Sequence, residues 1–262
     1  MGTDGAVLNT LSRSWMHGRV WANDPDCLLA RSTRTKLTLP EVQSLATAIA
    51  LSGGMVLASD DLTELSKERL GLLSLLLPPL GEAPIVRDLM TSELPSDALV
   101  EVRRPFESWW LLGAFNAAGR RRTLSVDLPP GHWHAFELWE RRYHGEREGT
   151  LRLADVPSHG VRLLALRRAR TRPQLLGTTF HFSMGGREIE AVAYRRGALS
   201  IALRPVAKQE GELFLHVPAG YRLLEARLDG GPLRPKRRDR RVAGFRFALR
   251  AAATFTARFA RR

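Results

Sequence analysis

From about residue 84 onward the chain is built of short runs in which apolar and polar side chains alternate, and this two-residue period constrains the fold more than any other feature. Residues 100–102, 109–115, 123–128, 133–139, 151–153 and 161–166 form a first series, punctuated by Ala118-Gly119 and Pro129-Pro130-Gly131. A second series follows Arg172-Pro173 and occupies residues 177–183, 189–194, 199–203, 213–217, 223–228, 242–249 and 254–259. Alternation sends successive side chains to opposite faces of a strand, so each run needs at least one face covered. Antiparallel β-sandwich packing covers many short strands joined by tight turns. No repeat of fixed period runs through either series.

The first 80 residues are organised differently. Residues 5–17 place Ala6, Leu8, Leu11 and Trp15 at helical spacing, and residues 19–22 read as a strand running into Asn23-Asp24-Pro25-Asp26. Thr38 and Glu41 form a capping box around Pro40, and the helix they start has an apolar face of Val42, Leu45, Ala46, Ile49 and Ala50 that stops at Gly53-Gly54. Residues 55–58 read as a buried strand ending at Ser59-Asp60-Asp61. Thr63 or Ser66 caps a third helix carrying Leu65, Leu70, Leu72, Leu73 and Leu76, which ends at Pro78-Pro79. The order is α-β-α-β-α. The expected division is 1–83, 84–172 and 173–262, with the last two parts antiparallel β domains.

Charge follows the same division. Residues 1–100 carry 8 Lys/Arg and 12 Asp/Glu, a net of −4, which leaves +17 of the total +13 for residues 101–262. Only Lys36, Lys67, Lys208 and Lys236 of the 40 basic residues are lysine, so the bias is arginine throughout the chain and not basicity at one place. No apolar stretch approaches the roughly 18–20 residues of a membrane span. The opening residues show no basic region followed by an apolar core, and Ala6 stands where a myristoylation signal needs Ser or Thr. The expectation is a cytoplasmic protein with no membrane partner. The lone cysteine, Cys27, excludes an internal disulfide and a multi-thiolate zinc cluster.

The chemistry-bearing feature is a pair of carboxylate turns. Asp24 and Asp26 follow the first strand signal and Asp60 and Asp61 the second. In parallel α/β architecture ligands sit outside the carboxyl ends of strands, so adjacent strands would bring the four acids to one rim. Such a rim suits acid/base chemistry, hydrogen bonds to sugar hydroxyls, or a divalent cation. Two structural roles compete: Asp24 bonding its own backbone in the turn, and Asp61 capping a helix.

The segment Arg19-Val-Trp-Ala-Asn-Asp-Pro-Asp-Cys-Leu-Leu-Ala-Arg31, with Leu37-Thr-Leu-Pro-Glu41, Ala50-Leu-Ser-Gly-Gly54 and Ser59-Asp-Asp-Leu62, resembles the end of the catalytic barrel in melibiase-type retaining α-galactosidases, the clan of glycoside hydrolase families 27 and 36. Leu176-Gly-Thr-Thr-Phe-His181 resembles the C-terminal region of bacterial family 36-like proteins. The resemblance is sharpest over residues 11–80. It implies a (β/α)8 barrel followed by antiparallel β domains and hydrolysis of terminal α-galactosides by two aspartates. It further implies that Asp26 lines the terminal-sugar pocket with Cys27 beside it, Asp24 and Asp60 being the other candidate substrate contacts. The family's nucleophile motif, of Lys-x-Asp type, and its acid/base aspartate belong to earlier strands and are absent here.

A chain holding only the last two βα units leaves strand edges and apolar faces unpaired. A retaining glycosidase also needs two carboxylates about 5–5.5 Å apart. The expectation is therefore a C-terminal fragment of an α-galactosidase-like hydrolase. It has no catalytic residue, metal or cofactor of its own, and it would meet an α-galactoside only if an upstream barrel fragment completed it. The alternative is a noncatalytic carbohydrate-binding or structural β module. His132-Trp133-His134 reads as a solvated strand face more readily than as a metal site. Trp109, Trp110, Trp133 and Trp139 read as core before they read as a sugar platform. The run Arg234–Arg241 reads as a hairpin loop, because it lacks the aromatics and motifs of a nucleic-acid binder.

Overall fold

The computed structural model describes residues 3–91, 95–239 and 241–261. Helices α1 (Thr3–Arg13), α2 (Leu39–Leu51) and α3 (Lys67–Leu76) alternate with two short strands, β1 (Cys27–Leu28) and β2 (Leu57–Ala58), which pair in parallel with Cys27 opposite Leu57. The α-β-α-β-α order is thus as the periodicity predicts, but the first strand is displaced and the second shortened. Residues 19–22 turn instead of extending: Gly18 has φ 69°, and the single parallel bridge from His17 to Trp21 is their one ladder contact among the described residues. The first strand forms after the Asn-Asp-Pro-Asp turn, where Asp26 reverses the chain at φ 73°. The second shrinks to two exposed residues, because it has one neighbour and no covering layer.

The signals of α2 and α3 are accurate, whereas the first helix, read over 5–17, ends at Arg13 and tightens into a 3-10 turn over Ser14–Met16. The Glu41 carboxylate accepts from Thr38 N and Thr38 Oγ1 at 2.7 Å each, and Ser66, not Thr63, caps α3 by accepting from Arg69 N at 3.3 Å. Past α2, Gly53 takes φ 73° and Gly54 lies against Asn23, where a Cβ would fall 2.0 Å from the Asn23 carbonyl oxygen. Met55 N donates to that carbonyl at 3.0 Å, so the glycine pair joins the end of α2 to the first carboxylate turn.

The remaining strands are β3 (Ile85–Val86), β4 (Asp97–Arg104), β5 (Glu107–Phe115), β6 (Arg122–Asp127), β7 (Trp133–Glu137), β8 (Arg142–Arg147), β9 (Thr150–Val156) and β10 (Val161–Arg168), followed by β11 (Gln174–Thr178), β12 (Ile189–Arg195), β13 (Ala198–Leu203), β14 (Gln209–His216), β15 (Tyr221–Leu228), β16 (Gly231–Pro232), β17 (Arg237–Asp239), β18 (Val242–Leu249) and β19 (Ala253–Arg261). All pair antiparallel. The first group makes a six-stranded sheet ordered β3-β4-β5-β10-β7-β8 and a two-stranded ribbon, β6-β9. The second group makes a four-stranded sheet, β11-β14-β18-β17, facing a five-stranded one, β12-β13-β19-β15-β16. The molecule is mostly antiparallel β with few helices.

Burial follows the strand period. Along β10, Leu163 and Ala165 face the helices while Leu164 and Leu166 face the β6-β9 ribbon, so a strand covered on both sides reads as a continuous apolar run. The helix-facing core holds Val42, Ile49 and Leu76 together with Val100, Trp109 and Leu111, and it extends to Phe182, Met184 and Phe214. A separate core lies between the last two sheets, where Phe245 and Phe247 meet Leu199, Ile201, Phe255 and Phe259. The tryptophans mostly behave as core: Trp109 and Trp133 are buried, and Trp139 donates its Nε1–H to Thr47 Oγ1 at 3.1 Å.

Candidate functional site

The structure separates the four acids into two pairs. Asp24 and Asp26 precede β1 whereas Asp60 and Asp61 follow β2; in a parallel ladder these are opposite ends, and the two pairs line different clefts. The one-rim arrangement assumed strands ending at Ala22 and Ala58. Moving the first strand to the far side of its turn undoes that arrangement.

Asp60 is engaged by the protein. Its side chain is only 2% exposed; Oδ2 accepts from Ala30 N and from Arg31 N (3.2 Å), and Oδ1 accepts from Arg31 Nε at 2.6 Å. The carboxylate fastens the chain leaving β1 to the end of β2. Asp61 caps a local turn instead of α3: its Oδ1 accepts from Thr63 N (2.9 Å) and Thr63 Oγ1 (2.6 Å), bonds that lower its pKa. The cleft beside this pair, about 230 Å³, is lined chiefly by polar loop residues including Arg31, Arg34 and Glu64.

Asp24 and Asp26 are exposed and lie on a cleft of about 390 Å³ between the Asn-Asp-Pro-Asp turn and α1. Each spends one oxygen locally: Asp24 Oδ1 accepts from Asp26 N at 3.1 Å, and Asp26 Oδ1 accepts from Cys27 N at 2.7 Å. Their Oδ2 atoms have no protein hydrogen bond among the described residues. Asn23 anchors the turn from below, since its side chain donates to Ser14 O (3.3 Å) and its backbone N donates to His17 Nδ1 (3.0 Å). Opposite the acids stand Asn9 and Arg13, with Trp21 at one side donating Nε1–H to Asn23 Oδ1 at 3.1 Å. Two acceptor carboxylates, the Asn9 amide and the Arg13 guanidinium can together hydrogen-bond a polyol, with the Trp21 ring as an apolar wall. Cys27, half-buried and free, lies on β1 and is not among the residues lining this cleft.

Asn9 and Arg13 were missed by the sequence reading, although a signal existed. Asn9, Thr10 and Arg13 recur at helical spacing, giving α1 a polar face beside the apolar one. Among the described residues, no three His, Cys, Asp or Glu side chains gather to hold a metal ion.

The histidine pair does not form a shared strand face. His132 is exposed and precedes β7, while His134 is 1% exposed, accepts from Tyr143 O–H through Nδ1 (2.7 Å), and packs its ring 4.2 Å from that of His216. The expected solvated face is instead a junction between sheets. A third buried imidazole, after His134 and His216, is His181, which donates Nε2–H to Pro78 O (3.0 Å) and accepts at Nδ1 from Ser183 Oγ (2.6 Å). That is the spacing of a nucleophile and its base, yet both side chains are sealed and the second ring nitrogen is committed to a carbonyl; the pair fastens the end of α3 to the 179–186 loop. The basic run Arg234–Arg241 lies partly outside the described residues; within it, where a hairpin loop was expected, Arg237–Asp239 form β17, paired with β18.

No known family's model matches the chain. Among solved structures it is similar to α-galactosidase I from Mortierella vinacea, at 17% identity and a TM-score of 0.47, over 62% of this chain and 44% of that one. It is similar to a GH27 β-L-arabinopyranosidase from Geobacillus stearothermophilus (16%, 0.45, covering 63% and 42%) and to the α-galactosidase of Saccharomyces cerevisiae (13%, 0.44, covering 62% and 51%). The structures it is similar to are thus α-galactosidases and related enzymes, and the chain spans about half of their length or less.

Proposed function

We propose that the chain is the C-terminal part of an α-galactosidase-like glycoside hydrolase: the last βα units of a barrel followed by antiparallel β domains, divided at 1–83, 84–172 and 173–262, and without hydrolytic activity of its own. The observation that carries this reading is the state of β1 and β2. Two parallel two-residue strands, each next to a carboxylate turn, form a sheet with no further strand on either side among the described residues, and Val20 (61% exposed), Trp21 (52%), Met55 (45%) and Leu57 (40%), in or just before the two strands and turns along the chain, stand in solvent. Large side chains with that much exposure, clustered at an unclosed parallel sheet, are what a barrel leaves when its other strands are not bonded to it. In this reading Asp24 and Asp26 contribute sugar contacts, and the nucleophile and acid/base come from strands that complete the barrel.

The test is release of nitrophenol from nitrophenyl α-galactoside. The purified chain is expected to give none, and co-expression with a polypeptide supplying the missing barrel strands is expected to restore it. Turnover by the chain alone that vanishes in Asp26→Asn would overturn the proposal. The β-module reading is favoured by one feature, the separate core between the last two sheets. It gains if melibiose binds the chain alone in calorimetric titration and binding survives Asp24→Asn and Asp26→Asn.

A further inference from the structure

A cavity of about 690 Å³ lies at the open side of the last sandwich, and none of the residues lining it belongs to the carboxylate turns. Its floor is apolar: Val217, Leu223, Leu233, Val242 and Ala243. Its rim carries Arg222, Leu224 and Arg234, all exposed. Neither arginine has a carboxylate partner among the described residues. The carboxylate that lines the groove, Glu225, is held by Arg227 at 3.0 Å and Arg258 at 3.4 Å, so its charge is compensated where it stands. The groove therefore presents net positive charge above an apolar floor, within a stretch of chain that is itself +17.

The backbone beside it is also unpaired. β15 bonds to β19 along Tyr221–Leu228, but on its other side β16 pairs only with Arg227 and Leu228, and Leu233 N adds one bond to Ala226 O. Residues 221–225 thus have no strand on that side among the described residues. They offer about 16 Å of edge at the usual rise per residue. The extra residue of the β15 bulge falls here too, between Leu223 and Glu225, and it is Leu224, which stands half in solvent.

We infer that this groove is a docking site for an extended acidic peptide that adds to the open edge of β15 as a further strand. The edge supplies main-chain hydrogen bonds. The two-residue period of the incoming strand sends alternate side chains to the apolar floor and the intervening carboxylates to Arg222 and Arg234. The alternatives fit less well. A sugar would find one aromatic, Tyr221, in a floor otherwise of aliphatic side chains and proline, and a nucleic acid would find no platform for successive bases. This site is independent of the carboxylate turns and of the hydrolase reading.

Fluorescence anisotropy of a fluorescein-labelled Glu-Val-Glu-Val-Glu-Val-Glu peptide tests it on the full chain. Saturable binding is expected, weakened by about tenfold or more in the Arg222→Glu/Arg234→Glu double variant, and likewise when alternate amides of the peptide are N-methylated. The matching Lys-Val peptide is expected not to bind. Arg222→Gln/Arg234→Gln, checked by near-ultraviolet circular dichroism for an intact fold, guards against loss through misfolding and should show the same direction. The proposal is overturned by absence of binding, or by binding that N-methylation or loss of the arginines leaves unchanged. Equal affinity for a Glu-Ser peptide, a sulfated oligosaccharide or single-stranded DNA would also overturn it, marking only a patch of positive charge.

Discussion

Two charged residues, Arg167 and Asp60, fasten the structure, whereas Asp24 and Asp26 stand open. Arg167 of β10 is fully buried: Nε donates to Leu176 O at 3.2 Å, Nη2 to Met184 O at 2.9 Å, Nη1 pairs with Glu107, and the guanidinium carbon lies 3.8 Å from the Trp109 ring centre. Burial pulls its pKa down while Glu107 raises it, and the ion pair with its two carbonyl bonds keeps the charge in place. Arg167→Met should cost about 3–5 kcal/mol in urea unfolding, because it strands two carbonyls and leaves the Glu107 carboxylate with only the half-exposed Arg170, at 3.3 Å, as its partner. Asp60→Asn should cost about 1–3 kcal/mol, since it turns an acceptor for three N–H groups into a mixed donor. Asp26 behaves differently. Its positive φ is a conformation that asparagine tolerates and a β-branched residue does not, so Asp26→Asn should be near neutral and Asp26→Val should cost about 1–2 kcal/mol. The sequence marks all these acids alike; only their partners separate a fastening from an open site.

At the scale of elements, buried imidazoles join pieces that are distant along the chain. Burial, with the Pro78 carbonyl opposing and Arg187 adding, pushes the His181 pKa down to about 4; burial, His134 and Arg241 push His216 down to about 3. Both values lie below the ordinary 6.5, so from 6.5 downward the unfolded chain binds protons that the folded one refuses. Their stabilisation is complete above pH 6.5 and is lost progressively as pH falls toward 4. For His181 the loss is on the order of 3 kcal/mol. Thermal unfolding across pH 7 to 4 should show this decline, and His216→Phe should flatten part of it. Glu137 acts in the opposite direction: burial raises its pKa to about 7, so its contribution is present at low pH and is lost as pH rises from about 4.5 through 7. The boundaries of α2 and α3 were legible at this scale because caps are local chemistry. The strand β8 was not, since Arg142–Arg147 buries no complete face and so carries no alternating signal.

At the scale of the whole molecule, the core beneath the helices continues into the last sheets. Phe182, Met184 and Phe214 share it with Phe136, Leu163 and Ile49, and Phe136 and Phe214 pack ring to ring at 4.6 Å. Calorimetry of the full chain should therefore show the β parts melting together. A chain of residues 173–262 alone, which would expose those side chains, should melt at a lower temperature; two well-separated transitions in the full chain would contradict this. The sequence by itself determined the order of the three helices, the caps of α2 and α3, the antiparallel β character after residue 84 and the presence of two carboxylate turns, because periodicity and capping depend on near neighbours. Only the tertiary structure decided that the turns lie at opposite ends of a two-strand ladder, that Asp60 is spent on Arg31, that His134 is buried, and that β15 keeps an open edge. Each of these depends on which distant segment lies alongside, and a local pattern carries no information about that neighbour.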